Sequence, residues 1–125
     1  MLNELYNIAQ DLNCIAQNVY YEARGEPIEG QLAVANVTLN RAEDGRWPSS
    51  ACDVVHQPYQ FSWANKKQKK PHGEEWAIAQ VIAITVFILP DPTEGATHFH
   101  ANYIKPYWAS NKKVLAKIGD HIFYA

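Results

Sequence analysis

Residues 2 to 43 read LNELYNIAQDLNCIAQNVYYEARGEPIEGQLAVANVTLNRAE, two helical patterns separated by a break. From Leu2 onward, Leu5, Ile8, Leu12, Ile15 and Val19 recur at steps of three and four, the spacing of an amphipathic helix that lays one stripe on a core. Gly25 and Pro27 end it, because glycine supplies the cap geometry and proline cannot continue the hydrogen-bond ladder. Pro27 also suits the start of a second helix, in which Ile28, Leu32, Ala35 and Leu39 share a face and small residues permit close packing.

Outward from this pair, residues 44 to 52 and 56 to 72 are rich in turn formers, aromatics and lysines without a clear period, and read as surface loops. A third helix is expected from about Gly73 to Leu89, ending at Pro90-Asp91-Pro92; its run AIAQVIAITVFIL (77 to 89) reads as a buried helix, too short to span a membrane. The last third has Phe, Tyr, His and Ile in short alternating runs, consistent with a few short strands. The expected fold class is mainly α with a small β or extended appendage (α+β), in one domain over residues 1–125.

With 125 residues, 47% hydrophobic and 19% charged, the chain is an ordinary globular domain and not a disordered or collagen-like one. A net charge of −2 argues against a dedicated nucleic-acid binder, but the charge is unevenly placed. Residues 1 to 60 sum to −5 and residues 61 to 125 to +3. Lys66, Lys67, Lys69 and Lys70 form either a solvated loop or an electrostatic foot on an anionic polymer. No basic n-region precedes an apolar stretch at the N-terminus, so the expectation is synthesis in the cytoplasm without a signal peptide and no stable membrane insertion. Cys14 and Cys52 are equally readable as a disulfide or as two buried thiols.

Continuing the first helix from Ile8 through Ile15 by another seven residues lands on Glu22, a carboxylate in a core-facing row. Partial burial raises such an acid's pKa, the condition for a general acid near neutral pH; pairing with Arg24 or Arg41 is the competing structural reading. Glu26 lies four residues on, but the break at Gly25 and Pro27 favours a cap on the second helix over a second catalytic group. His98 and His100 are spaced to share one strand face, yet no HExxH or cysteine-pair spacing accompanies them, and no metal is expected. The serines lie outside any nucleophile elbow. Tyr59, Phe61, Trp63, Phe99, Tyr103, Tyr107, Trp108, Phe123 and Tyr124 sit in loop-like or extended segments where flat rings suit sugars, although a domain this small also needs rings in its core.

The strings NVYYEARGEPIEGQLAVANVTLNR (18 to 41), ACDVVHQPYQFSW (51 to 63), DPTEGATHFHA (91 to 101) and IGDHIFYA (118 to 125) resemble, in order and spacing, the spore cortex-lytic enzyme and cell wall hydrolase family of SleB and CwlJ type. The resemblance covers nearly the whole chain and the catalytic domain only; without wall-binding repeats or an export signal it looks more like a phage endolysin or compact autolysin. It implies a lysozyme-like, lytic-transglycosylase-like fold acting on peptidoglycan glycan strands between N-acetylmuramic acid and N-acetylglucosamine. It also implies Glu22 as the catalytic acid, with Gln57, Gln60, Phe61, His98, Phe99, His100 and Tyr103 lining the cleft, no cofactor, a monomer, and action at the wall after holin-type release. The pattern departs from the family at Glu94, where a small residue is common, and in the lysine-rich run at 66 to 70. A lytic transglycosylase needs one carboxylate, whereas a retaining hydrolase needs a partner at about 5 Å and an inverting one at about 6.5–9.5 Å. A water-using muramidase and a catalytically silent glycan-binding module are the rival readings.

Overall fold

A computed structural model describes residues 1–57 and 61–125. The chain runs α1 (Leu2–Ala23), α2 (Ile28–Glu43), α3 (Ala51–Val55), a short 3-10 helix (Ser62–Asn65), α4 (Gly73–Thr85), β1 (His98–Ala101), a 3-10 turn (Ala109–Asn111), β2 (Val114–Ile118) and β3 (His121–Tyr124). The strands form one antiparallel sheet in the order β1-β3-β2. This is the mainly helical α+β architecture the sequence implies.

The break between α1 and α2 falls where the sequence places it. Arg24 leaves the helical region, Gly25 takes φ 83°, and the amide of Glu26 bonds back to the Ala23 carbonyl at 3.0 Å. Only glycine takes that left-handed turn without a Cβ penalty.

α2 is the central element. On one side Ala35 joins Ile15, Ala16 and Val19 of α1, Ala51 of α3, and Ala79, Ile82 and Ala83 of α4. On the other, Ala33, Val34 and Val37 pack with Ala23, Ala96 and Phe123 of β3. A third cluster, Val55, Phe61 and Trp63, fills the space beneath the 3-10 helix. Asn40 of α2 donates to the Asp91 carboxylate and the Ala96 carbonyl, both at 2.8 Å, tying the helix to the loop that feeds β1. In that loop Glu94 sits at φ 56°, a conformation that favours glycine or asparagine.

Several expectations are corrected. The α1 stripe is buried only in its second half: Ile15 and Val19 are fully covered, whereas Leu5 and Ile8 are 55% and 56% exposed. A 22-residue helix extends about 33 Å, longer than the 13 and 16 residues of its neighbours α4 and α2 can cover. The 77–89 run is not a buried helix. α4 stops at Thr85, and Val81, Ile84, Phe87 and Ile88 face outward because the described elements pack on only one side of it. Residues 51 and 52, expected at the end of a loop, instead open α3, capped by Ser50, whose side chain accepts from the Asp53 amide at 3.1 Å. Glu26 does not cap α2; its Oε1 accepts from the Asp120 amide at 2.8 Å and so anchors the β2–β3 turn. Cys14 and Cys52 are joined, which settles the reading left open between thiols and a disulfide.

That bond links α1 to α3 across a separation of 38 residues. By loop-closure entropy such a crosslink stabilises by about 4 kcal/mol. A Cys14→Ala/Cys52→Ala variant is expected to lose about 2–4 kcal/mol in urea unfolding, and wild type should show the same loss on adding reductant.

Candidate active site

The last turn of α1, the 3-10 helix, β1 and the segment after it enclose an open cleft of about 1150 Å³. Its α1 wall is fixed by Asn18. This fully buried amide donates from Nδ2 to Thr38 Oγ1 of α2 at 3.3 Å and accepts at Oδ1 from the Trp63 indole at 3.0 Å. Trp63 in turn stacks on Tyr21, centroids 4.8 Å apart, and the Tyr21 hydroxyl donates to the Lys69 carbonyl.

Glu22 follows, one helical turn past Asn18, and lines the cleft half-buried. No described residue hydrogen-bonds or ion-pairs with its carboxylate, so neither Arg24 nor Arg41 plays the partner's part the structural reading required. Burial alone pushes its pKa up to about 7. It is the one carboxylate among the described lining residues. Glu26 is turned away to the Asp120 amide, with His121 Nδ1 3.5 Å from its Oε1.

The opposite chemistry comes from β1, β3 and α2. His98 and His100 both approach Trp108, at 5.1 and 5.7 Å between centroids, and His100 Nε2 lies 2.7 Å from the Tyr124 hydroxyl. Burial, followed by the positive charges of Arg41, Lys112 and Arg46, lowers the His98 pKa to about 4, so it is a neutral ring at neutral pH. Phe99 packs between Phe61 at 6.2 Å and His121 at 5.2 Å. His121 is also held below its usual value, by burial first, with Glu26 and Asp120 acting upward and His100 downward. Arg41, buried in α2, donates from Nε to the Thr97 carbonyl at 2.7 Å and lies over the Trp47 and Phe61 rings; burial lowers its pKa to about 10, which leaves it charged.

Of the residues singled out in the sequence, Glu22, Phe61, His98, Phe99, His100 and Tyr103 meet at the cleft. Gln57 is not among its lining residues, and its Oε1 is buried without a described partner. Gln60 lies outside the described residues. Sequence reasoning gave no cleft role to Tyr21, Lys66, Lys112 or His121. The adjacency of Tyr21 to Glu22 was the available signal for the first; the others reach the cleft through tertiary pairing. Among the described residues no cluster of three His, Cys, Asp or Glu side chains is arranged to hold a metal ion.

Comparison with known proteins adds the following. Residues 25–124 match the family model described as Cell Wall Hydrolase, a match beginning three residues after Glu22. The chain is 36% identical over 115 residues to a spore cortex-lytic enzyme of Bacillus subtilis (strain 168), covering 90% of this chain and 37% of that protein. It is 35% identical over 115 residues to a spore cortex-lytic enzyme of Bacillus cereus, covering 90% of this chain and 43% of the relative. The chain thus spans less than half the length of these curated relatives. Among solved structures, the catalytic domain of the germination-specific lytic transglycosylase SleB from Bacillus anthracis superposes with a TM-score of 0.76 at 28% identity, over 92% of this chain and 93% of that one. The Bacillus cereus SleB catalytic domain gives the same score and identity. The fold is therefore the lysozyme-like α+β fold of those domains.

Two outcomes follow from the geometry. Asn18→Ala strands the buried Trp63 N–H and is expected to cost about 1–3 kcal/mol in urea unfolding. For Glu22, the folded pKa lies above the unfolded one, so the native state binds the proton more tightly and this group's contribution is lost as pH rises from about 4.5 through 7. Glu22→Gln should therefore match wild-type stability at pH 4 and exceed it by on the order of 2 kcal/mol at pH 8. The opposing histidine contributions are common to both proteins and drop out of the difference curve.

Proposed function

The chain belongs to the cell wall hydrolase family, and from that premise we propose that residues 1–125 act as one catalytic domain, a lytic transglycosylase cutting the β-1,4 bond between N-acetylmuramic acid and N-acetylglucosamine in peptidoglycan. The observation that carries the reading is the solitary cleft carboxylate of Glu22, raised to about 7 by burial and free of any described partner.

In this reaction Glu22, protonated at rest, delivers its proton to the glycosidic oxygen as the bond to muramoyl C1 breaks. The carboxylate so formed then takes the proton of the muramoyl C6 hydroxyl while O6 closes on C1. Proton and charge balance over the two steps, and no water or second carboxylate is consumed. The alternative, a water-using muramidase, needs a second carboxylate at hydrolase distance, and Glu26 is committed to the Asp120 amide instead. Phe61, His98, Phe99, His100 and Tyr103 are assigned to the strand: the flat rings pack on sugar faces and the two imidazoles exchange hydrogen bonds with hydroxyl and N-acetyl groups. The naming of the relatives as spore cortex-lytic enzymes, and of SleB as a lytic transglycosylase, supports the same substrate and bond. We place the action of this chain at the wall, as a monomer and with no cofactor; no described helix is long and apolar enough to cross a membrane.

Digestion of purified peptidoglycan, read by mass spectrometry without chemical reduction, is expected to give muropeptides ending in 1,6-anhydromuramic acid. Glu22→Gln should lower cleavage by about 10³-fold or more while keeping strand binding. The kcat/KM of wild type should fall as pH rises through about 7, where the acid loses its proton. Reducing muramic acid ends would establish the hydrolytic alternative, and strand binding with no products from wild type would establish the silent binding module.

A further inference from the structure

The lining of the cleft is more cationic than a neutral sugar polymer requires. Three fixed positive side chains, Arg41, Lys66 and Lys112, face it alongside the single carboxylate of Glu22. Two of the three arrive by the same local device. Lys66 is the residue that ends the 3-10 helix Ser62–Asn65, and Lys112 ends the 3-10 turn Ala109–Asn111. The ion pairs among the described residues are Met1 with Glu4, Arg46 with Asp44 and His121 with Glu26, so neither lysine has an acidic partner there. Arg41 differs: its guanidinium is held by the Thr97 carbonyl and by ring faces, and it adds a third positive charge to the lining.

A solvated loop does not account for this placement. Of the run Lys66, Lys67, Lys69 and Lys70, only Lys66 lines the cleft, and Lys112 comes from a segment more than forty residues away in sequence. A pair of ammonium groups lining the cleft without acidic partners among the described residues attracts anions, and in a glycan strand bearing peptide stems the anions are the free carboxylates of those stems. We propose that Lys66 and Lys112 make the cleft selective for strands carrying free stem carboxylates over strands whose carboxyls are amidated. This inference rests on the proposed substrate and adds its charge class.

Lys66 is exposed and Lys112 half-buried; such lysines pairing with solvated carboxylates contribute modestly and are screened by salt, so the expected effect is about threefold in affinity per lysine. The test uses soluble peptide-bearing glycan strands freed of phosphate polymers, and the same strands after carbodiimide conversion of their carboxyls to primary amides. Binding is measured in the Glu22→Gln background, which separates recognition from turnover. At low salt, amidation should raise Kd by about fivefold to tenfold. Lys66→Gln and Lys112→Gln should each raise Kd by about threefold on native strands and leave Kd on amidated strands unaltered. The double variant should bind both strands alike, and 0.3 M salt should compress the preference. Lys70→Gln, from the same run but outside the cleft, is the control and should retain the full preference. Equal binding of native and amidated strands by the Glu22→Gln protein, preference surviving in the double variant, or equal loss on both strands would overturn the proposal. Selective binding without any cleavage by wild type would instead overturn the proposed activity and leave the charge selectivity standing.

Discussion

A buried amide with nothing to spare sets the geometry of this molecule. Asn18 is fully enclosed, and an unpaired side-chain amide in that position would forfeit its hydrogen bonds to water without replacement. Both ends are satisfied, by Thr38 on α2 and by the Trp63 indole, and these two bonds fix how α1 lies on α2 and where the segment after α3 must run. Once Trp63 is placed, Tyr21 stacks on it. Glu22 is then carried to the cleft by helix geometry alone, because residues four apart share a face.

The glycine break after α1 turns one short sequence into two environments. In a continuous helix Glu22 and Glu26 would stack on the same face as a pair of carboxylates. Gly25 redirects the chain, and the second glutamate becomes a peg for the Gly119–Asp120 turn. The fit there is tight: a Cβ on Gly119, which sits at φ 55°, would lie 2.6 Å from Glu26 Oε1 and 3.0 Å from Pro27 Cδ, so a side chain there would push Glu26 from its place. Glu26 therefore holds the β2–β3 hairpin against the start of α2, and with it His121 at the cleft. The acid and the peg have separate tasks because the backbone between them is bent.

Local periodicity made the helices and Glu22 legible, since Ile15 and Val19 define the row and the row is buried where Glu22 extends it. The same periodicity overstated the first turns of α1, because a hydrophobic stripe records a preference for burial and not the presence of a neighbour. It failed equally at Val81, Ile84 and Phe87, where α4 has a partner on one side only. The cleft residues His121 and Lys112 were illegible for a different reason. β3 pairs with β1 across about twenty residues, and no local pattern encodes which strand will lie beside which. Cys14 and Cys52 belong to this second class, brought together by the packing of α3 on α1. The resemblance in the four sequence blocks pointed to Phe61, His98, Phe99 and His100 as cleft residues, which periodicity did not, and left His121 and Lys112 unassigned.

A carboxylate that must act first as acid and then as base is best left without a permanent partner. A hydrogen bond or cation fixed beside it would favour one protonation state throughout, whereas Glu22 owes its raised pKa to burial alone. Its proton affinity therefore follows what occupies the cleft. In the proposed reaction a bound strand would exclude water and hold the acid protonated, positive charge developing on the sugar ring would stabilise the carboxylate at the moment of transfer, and closure of the anhydro ring would remove that charge and restore the proton. The neighbouring groups fit that cycle. The nearby His98 ring is held neutral and does not compete for the proton at neutral pH, and Arg41 is anchored to Thr97 and to ring faces, with no described contact to Glu22. The lack of a partner for Glu22 among the described residues is thus the feature that lets one residue do the work of two in the proposed reaction.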